Sequence, residues 1–139
     1  LGVLLFAILK NPFNDWNKEP RFASSEDMKM AHIIQNEVGK DEKLYLLGLP
    51  SNLYTYAQRL PSKPWFDNFG WYFEMPNEEE KVLEHWRQDK PKYIFWKKAV
   101  KGNWFDIGTY EPKRVSSWII ENYNKSGTVD NEISIWKLK

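Results

Sequence analysis

Residues 43–66 read Lys-Leu-Tyr-Leu-Leu-Gly-Leu-Pro-Ser-Asn-Leu-Tyr-Thr-Tyr-Ala-Gln-Arg-Leu-Pro-Ser-Lys-Pro-Trp-Phe. Leu44 to Leu47 is an unbroken apolar run, the pattern of a strand buried on both faces. Gly48 ends it, Pro50 enforces a turn, and Ser51 or Asn52 stands where the next helix needs a cap. Leu53, Tyr54, Tyr56, Ala57 and Leu60 recur at helical spacing and stop before Pro61. Lys63-Pro64-Trp65-Phe66 opens a second extended segment. Strand, helix and strand in so short a span predict a parallel β-α-β unit with a right-handed crossover. A strand ending on glycine ahead of a helix is where open α/β sheets place a ligand crevice. A dinucleotide fingerprint needs three glycines and Gly48-Leu49-Pro50-Ser51 has one, so a tight turn without bound phosphate is expected.

Upstream, Ser24-Ser25-Glu26-Asp27 marks a helix start. Met30, Ala31, Ile33, Ile34 and Val38 form that helix's apolar face, and Gly39 is read as its C-terminal cap. Downstream, residues 67–75 read as an aromatic loop with room for a short strand. Asn77-Glu-Glu-Glu80 after Pro76 gives a capping box, and Val82, Leu83 and Trp86 give the buried stripe of the helix it starts. The glutamate run is read as a solvated first turn matched to the helix dipole. Lys92 to Trp96 is a third strand, brought back parallel to the first, and residues 97–110 form a loop with Lys97, Lys98 and Lys101 near its start. Pro112 opens a last helix with Val115, Trp118, Ile119 and Tyr123 inward. Thr128-Val129, Asp130-Asn131 and Glu132 to Leu138 predict a hairpin, with Ile133, Ile135 and Lys137 alternating against Ser134, Trp136 and Leu138. The expected fold is a three-layer, Rossmann-like α/β domain: a mainly parallel sheet with a C-terminal hairpin or antiparallel edge strand.

The 139 residues suit one domain that buries about two thirds of its unfolded surface. Twenty basic and nineteen acidic residues give a net charge of +1, so no global field attracts nucleic acid and none is expected as a partner. Cysteine is absent, which removes disulfides and thiol catalysis. Eight Trp, seven Tyr and eight Phe are enough to fill a core and leave some rings for an interface with membrane or partner. Leu1 to Leu9 is wholly apolar and is stopped by Lys10 and Asn11-Pro12. Nine helical residues rise about 14 Å, roughly half a bilayer's hydrocarbon core. The cut end of a transmembrane helix (residues 1–10) is the favoured reading, with Lys10, Trp16 and Lys18 at the membrane boundary; a core helix and a buried strand are the alternatives. Residues 11–23 read as a polar connector and 24–139 as the soluble domain.

The chain has no Gly-x-Ser-x-Gly, His-Glu-x-x-His or phosphate-loop motif. His32 and His85 sit on separate predicted helices without a second ligand at metal spacing, so no metal or cofactor is expected. The candidate binding surface is Tyr54, Tyr56 and Arg59 with the loops at 67–75 and 97–110, because tyrosine rings stack on sugars and arginine grips phosphate bidentately. Packing of Tyr54 onto the sheet and pairing of Arg59 with a carboxylate are the structural alternatives. Asp67, after the second extended segment, is placed to touch a ribose or sugar hydroxyl, or else to cap its own loop. Asn124-Lys125-Ser126 matches the glycosylation sequon, a pattern short enough to arise often by chance.

Residues 28–138 resemble the C-terminal domain of multi-spanning glycosyltransferases that use polyprenyl-phosphate-linked sugars, such as the protein mannosyltransferases and the aminoarabinose transferase. The features carrying the resemblance are the strand Leu44 to Gly48, Tyr54 and Tyr56 on the next helix, Arg59-Leu60-Pro61, Trp65-Phe66, Lys90-Pro91-Lys92-Tyr93-Ile94 and the terminal Ile133 to Lys139. The long aromatic loops depart from that pattern. The family's key acidic residues lie in early loops between membrane helices, outside this chain, so the resemblance transfers no catalytic residue. It implies an extracytoplasmic, non-catalytic domain of a multi-pass cell-membrane hexosyltransferase. Its implied partners are the membrane part of the same chain, with a polyprenyl-phosphate sugar and an acceptor nearby. A membrane-tethered, non-enzymatic binding or scaffold module is the second reading, and a self-contained soluble enzyme the third.

Overall fold

The computed structural model describes residues 24–63, 70–98 and 111–139. The apolar start, the connector, the expected extended residues 64–66, residues 67–69 of the first aromatic loop (with Asp67) and 99–110 of the second (with Lys101) lie outside them. In order the described elements are α1 (Ser25–Glu37), β1 (Leu44–Leu47), α2 (Asn52–Ala57), a 3-10 helix (Gly70–Glu74), α3 (Glu78–Gln88), β2 (Tyr93–Lys97), α4 (Lys113–Asn122), β3 (Tyr123–Val129) and β4 (Ile133–Leu138).

The strands form one open mixed sheet in the order β1-β2-β4-β3. β1 and β2 are parallel, with Tyr45 opposite Ile94 and Leu46 opposite Phe95. Both other pairs are antiparallel, which corrects the expectation of a mainly parallel sheet. The expected C-terminal hairpin is present and forms one side of the sheet: β4 pairs with β2, and β3 is the outer strand. Its turn is the expected one, Asp130 and Asn131 taking positive φ (49° and 60°) and the Glu132 N–H donating to the Val129 carbonyl. The second extended segment shrinks, among described residues, to a parallel bridge of Pro61 with Leu44. There the Leu44 N–H donates to the Leu60 carbonyl and the Ser62 N–H to the Leu44 carbonyl.

Alternation along the strands divides the core in two. Leu44, Leu46, Tyr93, Phe95 and Ile135 pack with α1 and α2. Tyr45, Leu47, Ile94 and Trp96 pack with α3, α4 and Phe73 of the 3-10 helix. Leu46 and Ile94 are both fully buried in neighbouring strands, as the apolar runs required. The second half of the core is rich in aromatic rings. Tyr45 meets Trp86 edge-on at 4.8 Å between centroids, Trp86 meets Trp118 at 5.3 Å, and Trp118 meets Tyr123 at 5.7 Å.

Several helix ends differ from their sequence signals. α1 starts where expected, with Ser24 and Asp27 capping each other's backbone N–H groups. Gly39, however, has no left-handed conformation; α1 ends on Val38 in extended geometry, and its last carbonyls are held from outside the helix. α2 stops at Ala57, with Gln58 left-handed, so Leu60 leaves the helical stripe and is 58% exposed. Neither α2 nor α3 has a side-chain cap bond at its first residue; Asn77 instead turns the chain with φ 67°. Tyr123 belongs to β3, since α4 passes into that strand without a connecting residue.

Candidate functional site

At the C-terminal ends of the parallel pair, Gly48 takes φ +72°, and a Cβ placed on it would lie 2.3 Å from the Lys97 carbonyl oxygen. The glycine therefore answers a backbone requirement: a left-handed residue packed against the end of the neighbouring strand. Beyond it, α2 and the chain leaving it border an open cleft of about 320 Å³ between Ser51 and Pro61, with Tyr54, Gln58 and Arg59 in its wall.

Two of the four candidate residues, Tyr54 and Arg59, are thus brought together. Tyr56 is half-buried and packs against the α1 side of the core, away from the cleft lining. Asp67 lies outside the described residues.

Tyr54 is buried, and its hydroxyl accepts the Leu46 N–H at 2.8 Å. Leu44 uses its outward backbone groups on the 60–62 segment. Two residues further along β1 the phenol takes the place of a neighbouring strand, satisfying a donor that burial would otherwise leave costly.

Among the described residues Arg59 binds backbone rather than a carboxylate. Its Nε donates to the Val38 carbonyl at 2.7 Å and one terminal nitrogen to Gln35 at 2.8 Å, closing the end of α1. The other terminal nitrogen donates to Ala57 and Gln58, each at 3.2 Å, closing the end of α2. A cation suits the negative ends of two helix dipoles. All three guanidinium nitrogens are engaged, which leaves no free pair of donors for a bidentate phosphate contact. One arginine thus does for two helices what Gly39 was expected to do for one.

The glutamate run does more than solvate a first turn. Glu79 accepts the N–H groups of Arg114 and Val115 at 2.7 and 3.0 Å, supplying from α3 the cap that Pro112 cannot give α4. Glu80 pairs with Arg87 of its own helix and Arg114 of α4. The Arg87 hydrogen bond, aided by the charge of Arg114, holds its carboxyl below the ordinary range. No sequence window could have shown Glu79 as a cap, because acceptor and donors stand 35 residues apart.

His32 and His85 stay on separate helices, His32 beside Gln35 at 3.2 Å. Among the described residues no three metal-ligating side chains converge, and no helix is long and apolar enough to cross a membrane. No family model, curated protein or solved structure matches this chain. What the cleft offers is a shallow, partly apolar recess whose two strongest polar groups are already bonded to the fold.

Proposed function

We propose that this chain is the non-catalytic, extracytoplasmic C-terminal domain of an integral-membrane glycosyltransferase that takes its sugar from a polyprenyl-phosphate donor. The observation that supports it is the employment of Gly48, Tyr54 and Arg59. These residues carry the family resemblance, and each serves the backbone: one admits a strand end, one completes a strand edge, one closes two helices. A domain whose family-like residues maintain shape suits packing on a membrane bundle and helping to shape the acceptor entrance, with catalysis by acidic residues elsewhere. In the same reading, helices against both sheet faces form a Rossmann-like, three-layer arrangement.

The open cleft favours a second reading, a membrane-tethered binding or scaffold module with no enzymatic parent. Transfer assays with a polyprenyl-phosphate sugar distinguish the two. Residues 20–139 alone should transfer nothing. The longer protein in membranes should transfer sugar and lose most activity when residues 24–139 are deleted. Transfer by the isolated domain, or an inactive longer protein, overturns the first reading.

A further inference from the structure

The sequon Asn124-Lys125-Ser126 is the single Asn-x-Ser/Thr in the sequence, and the structure gives it a setting that three letters do not guarantee. It lies on β3, the outermost strand. A strand packed on both faces turns alternate residues toward opposite covered sides, so consecutive solvent-facing side chains are not its normal pattern. Here Asn124, Lys125 and Ser126 are all exposed, between the buried Tyr123 and the half-buried Gly127. The cause is a register shift: Lys125 stands opposite Trp136 and Gly127 opposite Ile135, leaving Ser126 with no opposite residue on β4. Ser126 keeps one long hydrogen bond, its hydroxyl donating to the Ile135 carbonyl at 3.3 Å. The bulge thus leaves Asn124 and Ser126 both at the surface, on an edge strand from which a bulky group can extend without disturbing the core.

We propose that Asn124 is an N-glycosylation acceptor and that its glycan shields the open edge of β3. The proposal rests on the extracytoplasmic placement above. In the step, an oligosaccharyltransferase joins Asn124 Nδ2 to C1 of a polyprenyl-diphosphate-linked oligosaccharide. The C1–O bond to the lipid diphosphate breaks, the lipid diphosphate leaves, and the amide proton passes to a base of that enzyme. Edge strands invite pairing with other chains, and a bulge with an exposed lysine blunts this only in part. A hydrophilic glycan beside Lys125 completes the protection.

The test expresses the full 139-residue chain behind a cleavable secretion signal in a glycosylating eukaryotic cell. Intact mass is read before and after peptide-N-glycosidase, in both the secreted and the cell-retained pools. One glycan is expected in the parent chain and in Ser126→Thr, and none in Asn124→Gln or Ser126→Ala. Enzymatically deglycosylated chain should self-associate at lower concentration than the glycosylated form. An unmodified Asn124 in both pools overturns the site, and unchanged self-association overturns the shielding role. Because the added signal supplies the route, these outcomes are independent of whether the parent protein transfers sugar.

Discussion

The hydroxyl of Tyr54 accepts the amide proton of Leu46 at 2.8 Å, so that a side chain from α2 stands in for a strand along the outer edge of β1. Tyr54→Phe keeps the ring and leaves a buried N–H unpaired. Loss of about 1–3 kcal/mol in urea unfolding is expected; a neutral result would mean the hydroxyl is dispensable to the edge.

Arg59→Ala removes the tie between the ends of α1 and α2 and should cost about 2–4 kcal/mol, as several carbonyls lose a charged donor. Arg59→Lys should recover less than half, since one ammonium cannot span both helix ends. Inorganic phosphate should leave the melting temperature of the parent chain unchanged. A phosphate-dependent rise that Arg59→Ala abolishes would restore the anion-binding role.

The two glycines flanking β1 should respond differently to alanine. Gly48→Ala must accept a left-handed residue and a contact with the Lys97 carbonyl, and a loss above about 2 kcal/mol is expected. Gly39→Ala has negative φ and meets only the flexible Glu42 carboxylate, so less than about 1 kcal/mol should be lost. Denaturation midpoints of the two variants, compared side by side, give the contrast.

Burial raises the phenol pKa of Tyr45 well above the ordinary tyrosine value, with the neighbouring Tyr54 adding to it, and burial also raises that of Tyr123. Both hold their protons more tightly folded than unfolded. Their contribution is therefore complete below about pH 10 and declines as pH rises from the unfolded value toward the folded one. Phenolate absorbance should show both ionising above the ordinary tyrosine range, together with loss of structure. Among the described residues the Tyr45 hydroxyl finds no hydrogen-bond partner, whereas Tyr123 donates to the Pro91 carbonyl at 2.6 Å. Tyr45→Phe should be neutral to stabilising by up to about 2 kcal/mol, whereas Tyr123→Phe should destabilise.

Glu79→Ala takes away the cap of α4 and should cost about 1–2 kcal/mol, with faster amide exchange at Arg114 and Val115. Glu79→Gln keeps an acceptor oxygen and should fall between alanine and the parent. Equal exchange in all three would show that α4 needs no tertiary cap.

Local patterns foretold most of these elements. The apolar run Leu44 to Leu47, the stripe Val82, Leu83 and Trp86, and the Asp130-Asn131 turn each satisfy a short-range rule, and each stands where that rule put it. Strand order was not legible, because nothing in Ile133 to Leu138 states whether the strand joins an edge or inserts beside β2. Its two apolar faces hinted at insertion: Ile133 and Ile135 serve one half of the core, Trp136 and Leu138 the other. The site residues show a second limit. Tyr54 and Arg59 were recognisable as polar groups beside a strand end, but their partners are backbone atoms supplied by residues as far away as Gln35. Side-chain identity predicts chemistry available, not chemistry already engaged.

The insertion of β4 also bears on biosynthesis. A ribosome delivers β2 long before residues 133–138, so one flank of the sheet's inner strand waits with its amide and carbonyl groups unclaimed. Nascent chains carrying such a gap are vulnerable to mispairing with one another. Native zippering on that side must wait for the hairpin, so the sheet closes only once its last strand is out.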